Sequence, residues 1–210
     1  MYHYAGNNPI RYIDPDGRTI ISNIKLYNAL KEVNVDKMTS GEARKWISEN
    51  ITSNSNYPLC QFIYRKGMLQ NSEDYDFSNN KLFTEALAKA DNYANKRIKE
   101  QVKNGIIKPS SNVLGDTGFD VVSDTDLFGV FGGGVGFTWQ VESINEETRT
   151  VRVKVYIEDT FDFNEGKGKR DKNAEKLTTI GRKACLSSFK ISGNYYLDIK
   201  VSKKTFDTIK

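Results

Sequence analysis

The chain has 210 residues, enough to bury a core without staples, and its two cysteines are too few for a disulfide scaffold. Hydrophobic residues make up 38% and charged residues 28%, and the 11 Tyr and 11 Phe supply much of the apolar area, so the expected core is thin and aromatic. Net charge is only +4, which argues against a dedicated nucleic-acid binder. No run of about 18 apolar residues offers a membrane-spanning helix, and no apolar stretch after Met1 makes a signal peptide.

Residues 4–18 read as turn, short strand, turn, because Asn7-Asn8-Pro9 and Asp14-Pro15-Asp16-Gly17 are strong turn formers around Ile10 and Tyr12. Residues 22–33 read as a short amphipathic helix. A second helix opens at Ser40-Gly41-Glu42-Ala43, with Thr39 or Ser40 as cap and Trp46 and Ile47 inward. Residues 50–57 are a polar break ending at Pro58. The spacing of Leu82, Ala86, Ala90, Tyr93, Ala94, Ile98 and Val102 predicts one long helix over 81–104, with Gly105 as its stop. Residues 108–112 are a plausible hinge.

Beyond the hinge the period changes to two. Phe137, Trp139 and Val141 share one face of a strand. After a turn at 145–148, Val151, Val153, Val155 and Ile157 alternate with charged residues, which predicts a β-hairpin. A further helix is expected over 171–185, and two short strands, 188–191 and 195–201, around Gly193-Asn194. The expected fold is α+β: N-terminal helices, then a small antiparallel β-sheet with one further helix. The expected division is 1–18, a helical region at 19–109 and a β-rich domain at 110–210.

The segment Gly6-Asn7-Asn8-Pro9 followed by Asp14-Pro15-Asp16-Gly17-Arg18 resembles the motif that closes the shell of Rhs/YD-repeat proteins ahead of a variable C-terminal toxin. The match covers about fifteen residues, and Arg18 stands where the family has Leu. The resemblance implies that residues 1–18 are the end of the Rhs core and that Asp14 sits at the aspartate of a self-cleavage motif. It implies a toxin tip, encapsulated by the shell of the parent chain, delivered into a target bacterial cell and held in check by a cognate immunity protein.

The only histidine is His3, inside that motif. A toxin domain from residue 19 onward therefore lacks the chemistry of histidine metal-finger nucleases, zinc deaminases and histidine-dependent hydrolases. Cys60 and Cys185, without such a base, read as packing residues. Gly132-Gly133-Gly134 has no lysine after it, so no phosphate-binding P-loop is formed.

Carboxylates remain. Asp159 and Asp162 lie at the end of the strongest strand, where two carboxylates can share a proton or a cation, or simply end the strand by local hydrogen bonds. Asp159-Thr160-Phe161-Asp162 with Asn164 resembles part of the colicin M motif, Asp-x-Tyr-Asp followed by Asn and a His-Arg pair. Here Lys169-Arg170 stands near the place of that pair. The resemblance implies Asp159, Asp162 and Arg170 as catalytic residues acting on a lipid-linked precursor.

Three other features carry alternatives. Asp116 and Asp120, with Asp124 and Asp126, can hold a divalent cation or form a solvated loop. The glycine- and aromatic-rich stretch 127–139 offers Phe128, Phe131 and Phe137 as membrane contacts or reads as a buried strand entered through a bulge. Lys167, Lys169, Arg170, Lys172 and Lys176 form a basic run that reads as a solvated face before it reads as a nucleic-acid stripe. The expectation is an antibacterial effector at the cell envelope, acting on a lipid or lipid-linked substrate, with no nucleic-acid partner. The alternatives are a non-enzymatic membrane-disrupting module, a histidine-independent ADP-ribosyltransferase drawing on Glu142, Glu146 or Glu147, and a non-toxic adhesion tip.

Overall fold

The computed structural model describes residues 26, 28–69, 73–107, 125–131, 135–163 and 172–209. The Rhs-like motif with Asp14, the hinge at 108–112, and Asp116, Asp120, Asp124 and Arg170 lie outside the described residues, as does the side chain of Phe128.

The chain is helical at 28–32, within the first expected helix. The next helix, α1 (Ser40–Ile47), is capped by Thr39. The Thr39 hydroxyl accepts from the Glu42 N–H, and Glu42 Oε2 accepts from the Thr39 N–H at 2.8 Å. Ile47 is fully buried and Trp46 packs at the core's margin. The helix continues into the first residues of the expected break as a wider π turn, Ser48–Thr52, in which Asn50 Nδ2 donates to the Trp46 carbonyl.

Pro58, expected only to end a loop, instead starts α2 (Pro58–Gly67) at a position where its missing N–H costs nothing. Leu59, Cys60, Ile63 and Tyr64 are buried at helical spacing.

The long helix expected over 81–104 is two helices, α3 (Lys81–Lys89) and α4 (Tyr93–Lys103). Ala90 turns extended, and Asn92 and Asn95 take over the exposed backbone groups. Asn92 Oδ1 accepts from the Asn95 N–H at 2.7 Å, and Asn95 Nδ2 donates to the Leu87 and Ala90 carbonyls at 2.8 and 2.9 Å. Asparagine's preference for capping won over the helical period. The stop at Gly105 is as expected. Its φ is +83°, and the N–H groups of Gly105 and Ile106 close onto the Val102 and Gln101 carbonyls.

The short helix α5 (Thr125–Phe131) occupies part of the stretch expected as strand or membrane segment. The sheet comprises β1 (Tyr75–Asp76), β2 (Gly136–Asn145), β3 (Thr150–Phe161) and β4 (Phe189–Lys200), in the order β1-β4-β3-β2. The hairpin β2–β3 is as expected. The sheet is mixed, not antiparallel throughout, because β1 runs parallel to β4.

The two expected short strands are one continuous strand, β4. Gly193 does not turn the chain. Its missing side chain admits Phe77, whose ring lies 2.6 Å from where a Cβ would stand. Between β3 and β4 runs α6 (Lys172–Lys183), and α7 (Lys203–Ile209) follows β4.

Val151, Val153, Val155 and Ile157 of β3 are fully buried beneath the helices. Arg152, Lys154, Tyr156, Glu158 and Thr160 alternate with them and face the other way. Buried residues from the expected helical region and from the expected β-rich region belong to the same core. In that core Tyr195 of β4 donates its hydroxyl to Asn95 Oδ1 of α4 at 2.8 Å. From the basic run, Lys176 is not simply solvated. Its Nζ donates to the Leu30, Lys31 and Val33 carbonyls, while Lys183 holds those of Asp36 and Met38.

Candidate functional site at the end of β3

The alternation that buries Val151 to Ile157 continues for two more inward positions, and these are Asp159 and Phe161. Asp159 therefore enters the row of core-facing side chains. It pairs with Ile191 of β4, while β2 reaches only as far as Gly136 opposite Glu158. The aspartate thus stands just beyond the end of β2, with a paired strand on one side only, and it is half-buried.

Its Oδ1 accepts from the Thr160 N–H at 2.7 Å. Burial pushes its carboxyl up to about 6, against the pull of that N–H, and the negative charge of Asp162 adds to the rise. A carboxyl of this kind changes protonation state close to neutral pH, as a general acid or base must.

The positions of Asp159 and Asp162 are set by the two phenylalanines around Asp162. The Phe161 ring packs against Tyr64, Phe189 and Phe163 at centroid distances of 5.2, 5.3 and 5.0 Å. The Phe163 ring also meets Tyr64 edge-on at 6.2 Å and lies directly on Gly181 of α6. The Phe-Asp-Phe spacing anchors the strand end at two points and leaves Asp162 half-buried between them.

The acidic run does not form one cluster. Glu158 points to the opposite face of the sheet. There it accepts from the Tyr156 hydroxyl at 2.6 Å and pairs with Lys190 of β4 at 2.8 Å. Lys190 and Tyr156 hold the Glu158 carboxyl below its ordinary value. The Lys190 N–H donates to Asp74 beside β1. Sequence reading missed this set, because Lys190 and Tyr156 come together only when β4 is one strand with a defined register on β3.

Asp126, placed by sequence in an acidic loop, is a cap. Its two carboxylate oxygens accept from the N–H groups of Leu59 and Cys60, both at 2.8 Å, at the N-terminus of α2. Burial raises its pKa, and those two donors oppose the rise. Asp116 and Asp120 lie outside the described residues. Among the described residues no group of three or more His, Cys, Asp or Glu is placed to hold a metal.

Cys60 is buried against Asp126, and burial together with that carboxylate pushes its thiol up, which makes it inert. Cys185 is exposed, so only one of the two cysteines is a packing residue.

Phe131 and Phe137 are 3% and 2% exposed, the first packed edge-on against Phe77. This corrects the expectation of surface rings. The helical turn of α5 and the inward register of β2 put both in the core, and in this fold neither ring faces a membrane. No helix among the described residues is long and apolar enough to cross one. Glu146 and Glu147 are exposed at the tip of the hairpin, and Glu142 lies at the irregularity of β2 between Val141 and Ser143.

Of the expected catalytic set, Asp159 and Asp162 share the strand end and interact, and Arg170 lies outside the described residues. Comparison of the chain with family models, with curated proteins and with solved structures finds no match.

Proposed function

We propose that this chain is the C-terminal effector domain of an Rhs/YD-repeat protein, an antibacterial toxin that acts at the envelope of the target cell. Asp159 is its acid/base group, raised chiefly by burial, and Asp162 is the neighbouring carboxylate whose charge adds to that rise. The effector reading is supported by the Rhs-like motif at residues 4–18. The enzymatic reading is carried by one observation: a carboxylate set in the core-facing row of a strand, at the strand end where only the β4 edge is paired, with its carboxyl lifted to about 6. An ionisable group in an apolar row costs stability, and such a cost is found where chemistry needs the group.

The substrate class that fits is a lipid-linked precursor, because Asp159-Thr160-Phe161-Asp162 resembles the colicin M motif. In this reading water attacks phosphorus as the bridging P–O bond breaks, the protonated Asp159 gives its proton to the departing oxygen, and the water's proton passes to solvent, from which Asp159 is protonated again.

The test is growth of a bacterium that expresses the full chain, once in the cytoplasm and once with a signal peptide directing it to the periplasm. Lysis only from the periplasm, lost in Asp159→Asn, is the expected result. Killing from the cytoplasm alone overturns the envelope assignment. Unchanged killing by Asp159→Asn and Asp162→Asn together overturns the catalytic one.

A further inference from the structure

Six cations gather on one surface of the helical layer. The inward face of α4 is Ala94, Asn95, Ile98 and Val102, so the remaining arc carries Lys96, Arg97, Lys99 and Lys103, with Glu100 the acid among them. Lys96, Lys99 and Lys103 line one shallow hollow with Glu100 and Asn104. The helix α7 is fixed beside the far end of α4. Thr205 Oγ1 donates to the Lys103 carbonyl at 2.9 Å, and Ile209 packs beside Gly105. This contact brings the exposed Lys203 and Lys204 to the same edge.

Against the six cations stand Glu100, Asp207 and Asp91, the last paired with Lys96 at 2.9 Å. Six minus three leaves +3 on this surface, out of +4 for the whole chain. Two exposed apolar side chains flank it. Tyr93 is 52% exposed where α4 begins, and Ile106 is 45% exposed just past its end.

We propose that this surface docks the domain onto an anionic phospholipid bilayer. The inference rests on the envelope reading above and supplies its missing partner. Lysines on long stems reach phosphate headgroups while an aromatic and an aliphatic side chain enter the boundary between headgroups and acyl chains. The acidic residues are too few to cancel the attraction, and because the apolar face of α4 stays in the core, contact with the bilayer is made by its basic arc and the two flanking side chains.

The test is cosedimentation of the full chain with vesicles of phosphatidylglycerol and phosphatidylethanolamine, and with neutral phosphatidylcholine vesicles. Binding to the anionic vesicles only, weakened by added salt, is expected. The triple variant Lys99→Glu, Lys103→Glu, Lys203→Glu loses roughly tenfold or more in partitioning. A charge-matched control, Lys31→Glu, Lys37→Glu, Lys45→Glu in the N-terminal helices and the turn between them, keeps most of the binding. Equal binding to neutral vesicles, equal loss in the control, or no binding overturns the proposal. So does tighter binding to a single-stranded DNA oligonucleotide that the same triple variant abolishes. Killing from the periplasm by a chain that binds no vesicles sinks the docking surface and leaves the effector reading standing.

Discussion

Gly181, in the last turn of α6, is the seat of the Phe163 ring: a Cβ at position 181 would fall inside the ring's own volume. Glycine within a helix ordinarily costs about 0.5–1 kcal/mol relative to alanine. Here it lets α6 and the end of β3 approach face to face, and that approach fixes the segment bearing Asp159 and Asp162.

Replacing Gly181 by alanine should therefore destabilise the protein by about 1–3 kcal/mol, although alanine is the better helix former. Urea denaturation measures the difference. The double variant Gly181→Ala, Phe163→Ala should recover part of the helix gain, because the ring that collides is gone. A Gly181→Ala variant more stable than the parent would show that the ring does not sit there.

Asp159 makes stability depend on pH in a definite direction. Its carboxyl rises from 3.8 in the unfolded chain to about 6 in the fold, so between these values the folded state holds the extra proton. Stability from this group is full below about pH 4 and falls as pH rises through about 6. The loss is on the order of 1–2 kcal/mol, less than a fully desolvated carboxyl would give, because part of the group meets water. Asp159→Asn keeps an acceptor for the Thr160 N–H and removes the charge. Its urea midpoint should exceed the parent's at pH 8 and match it near pH 4. An advantage of equal size at both pH values would contradict this origin.

Asp126 closes the N-terminus of α2 from a distant part of the chain. Asp126→Ala leaves the Leu59 and Cys60 N–H groups without their acceptors, at about 1–3 kcal/mol. Asp126→Asn retains one good acceptor and should lose less. Thermal unfolding of the two variants, compared at pH 7, gives the ranking.

Lys176 ties residues 30–33 to α6 through three carbonyls. Lys176→Met should loosen that segment while leaving the sheet intact. Faster proteolysis within residues 28–38, with little change in the global urea midpoint, is the expected outcome. A large drop in the global midpoint would mean that this segment is integral to the core.

Much of this was legible in the sequence where one period rules. The hairpin β2–β3 is read directly from Val151 to Ile157, and the stop at Gly105 from its position after Val102. Legibility ended where two signals compete. The periodicity from Leu82 to Val102 runs unbroken, yet Asn92 and Asn95 cap and cut it, because their side chains satisfy backbone groups that a continuous helix would have paired. Gly193-Asn194 is a turn signal, but Phe77, more than a hundred residues earlier, uses the glycine for contact. The two residues of β1 carry no strand pattern at all and are held by the Phe77 N–H donating to the Ser192 carbonyl and by the edge of β4. Of the site, Asp159 and Asp162 were visible as a pair. The outward position of Glu158 follows from the same alternation as Arg152 and Lys154, but the inward, half-buried register of Asp159 was not visible, since its burial depends on what covers the strand end.

The order of the sheet carries one more consequence. β4, the last of the four described strands to leave the ribosome, lies between β1 and β3, the earliest strand and the end of the hairpin. Until about residue 200 has been synthesised, β1 has no neighbour and one edge of β3 is bare. A nascent or threaded chain therefore remains unfinished at its centre, and the strand end that holds Asp159 gains its paired partner Ile191 only at the close of assembly. A domain wired in this way completes its candidate site only when β4 has joined the sheet, whether it emerges from a ribosome or from a narrow conduit.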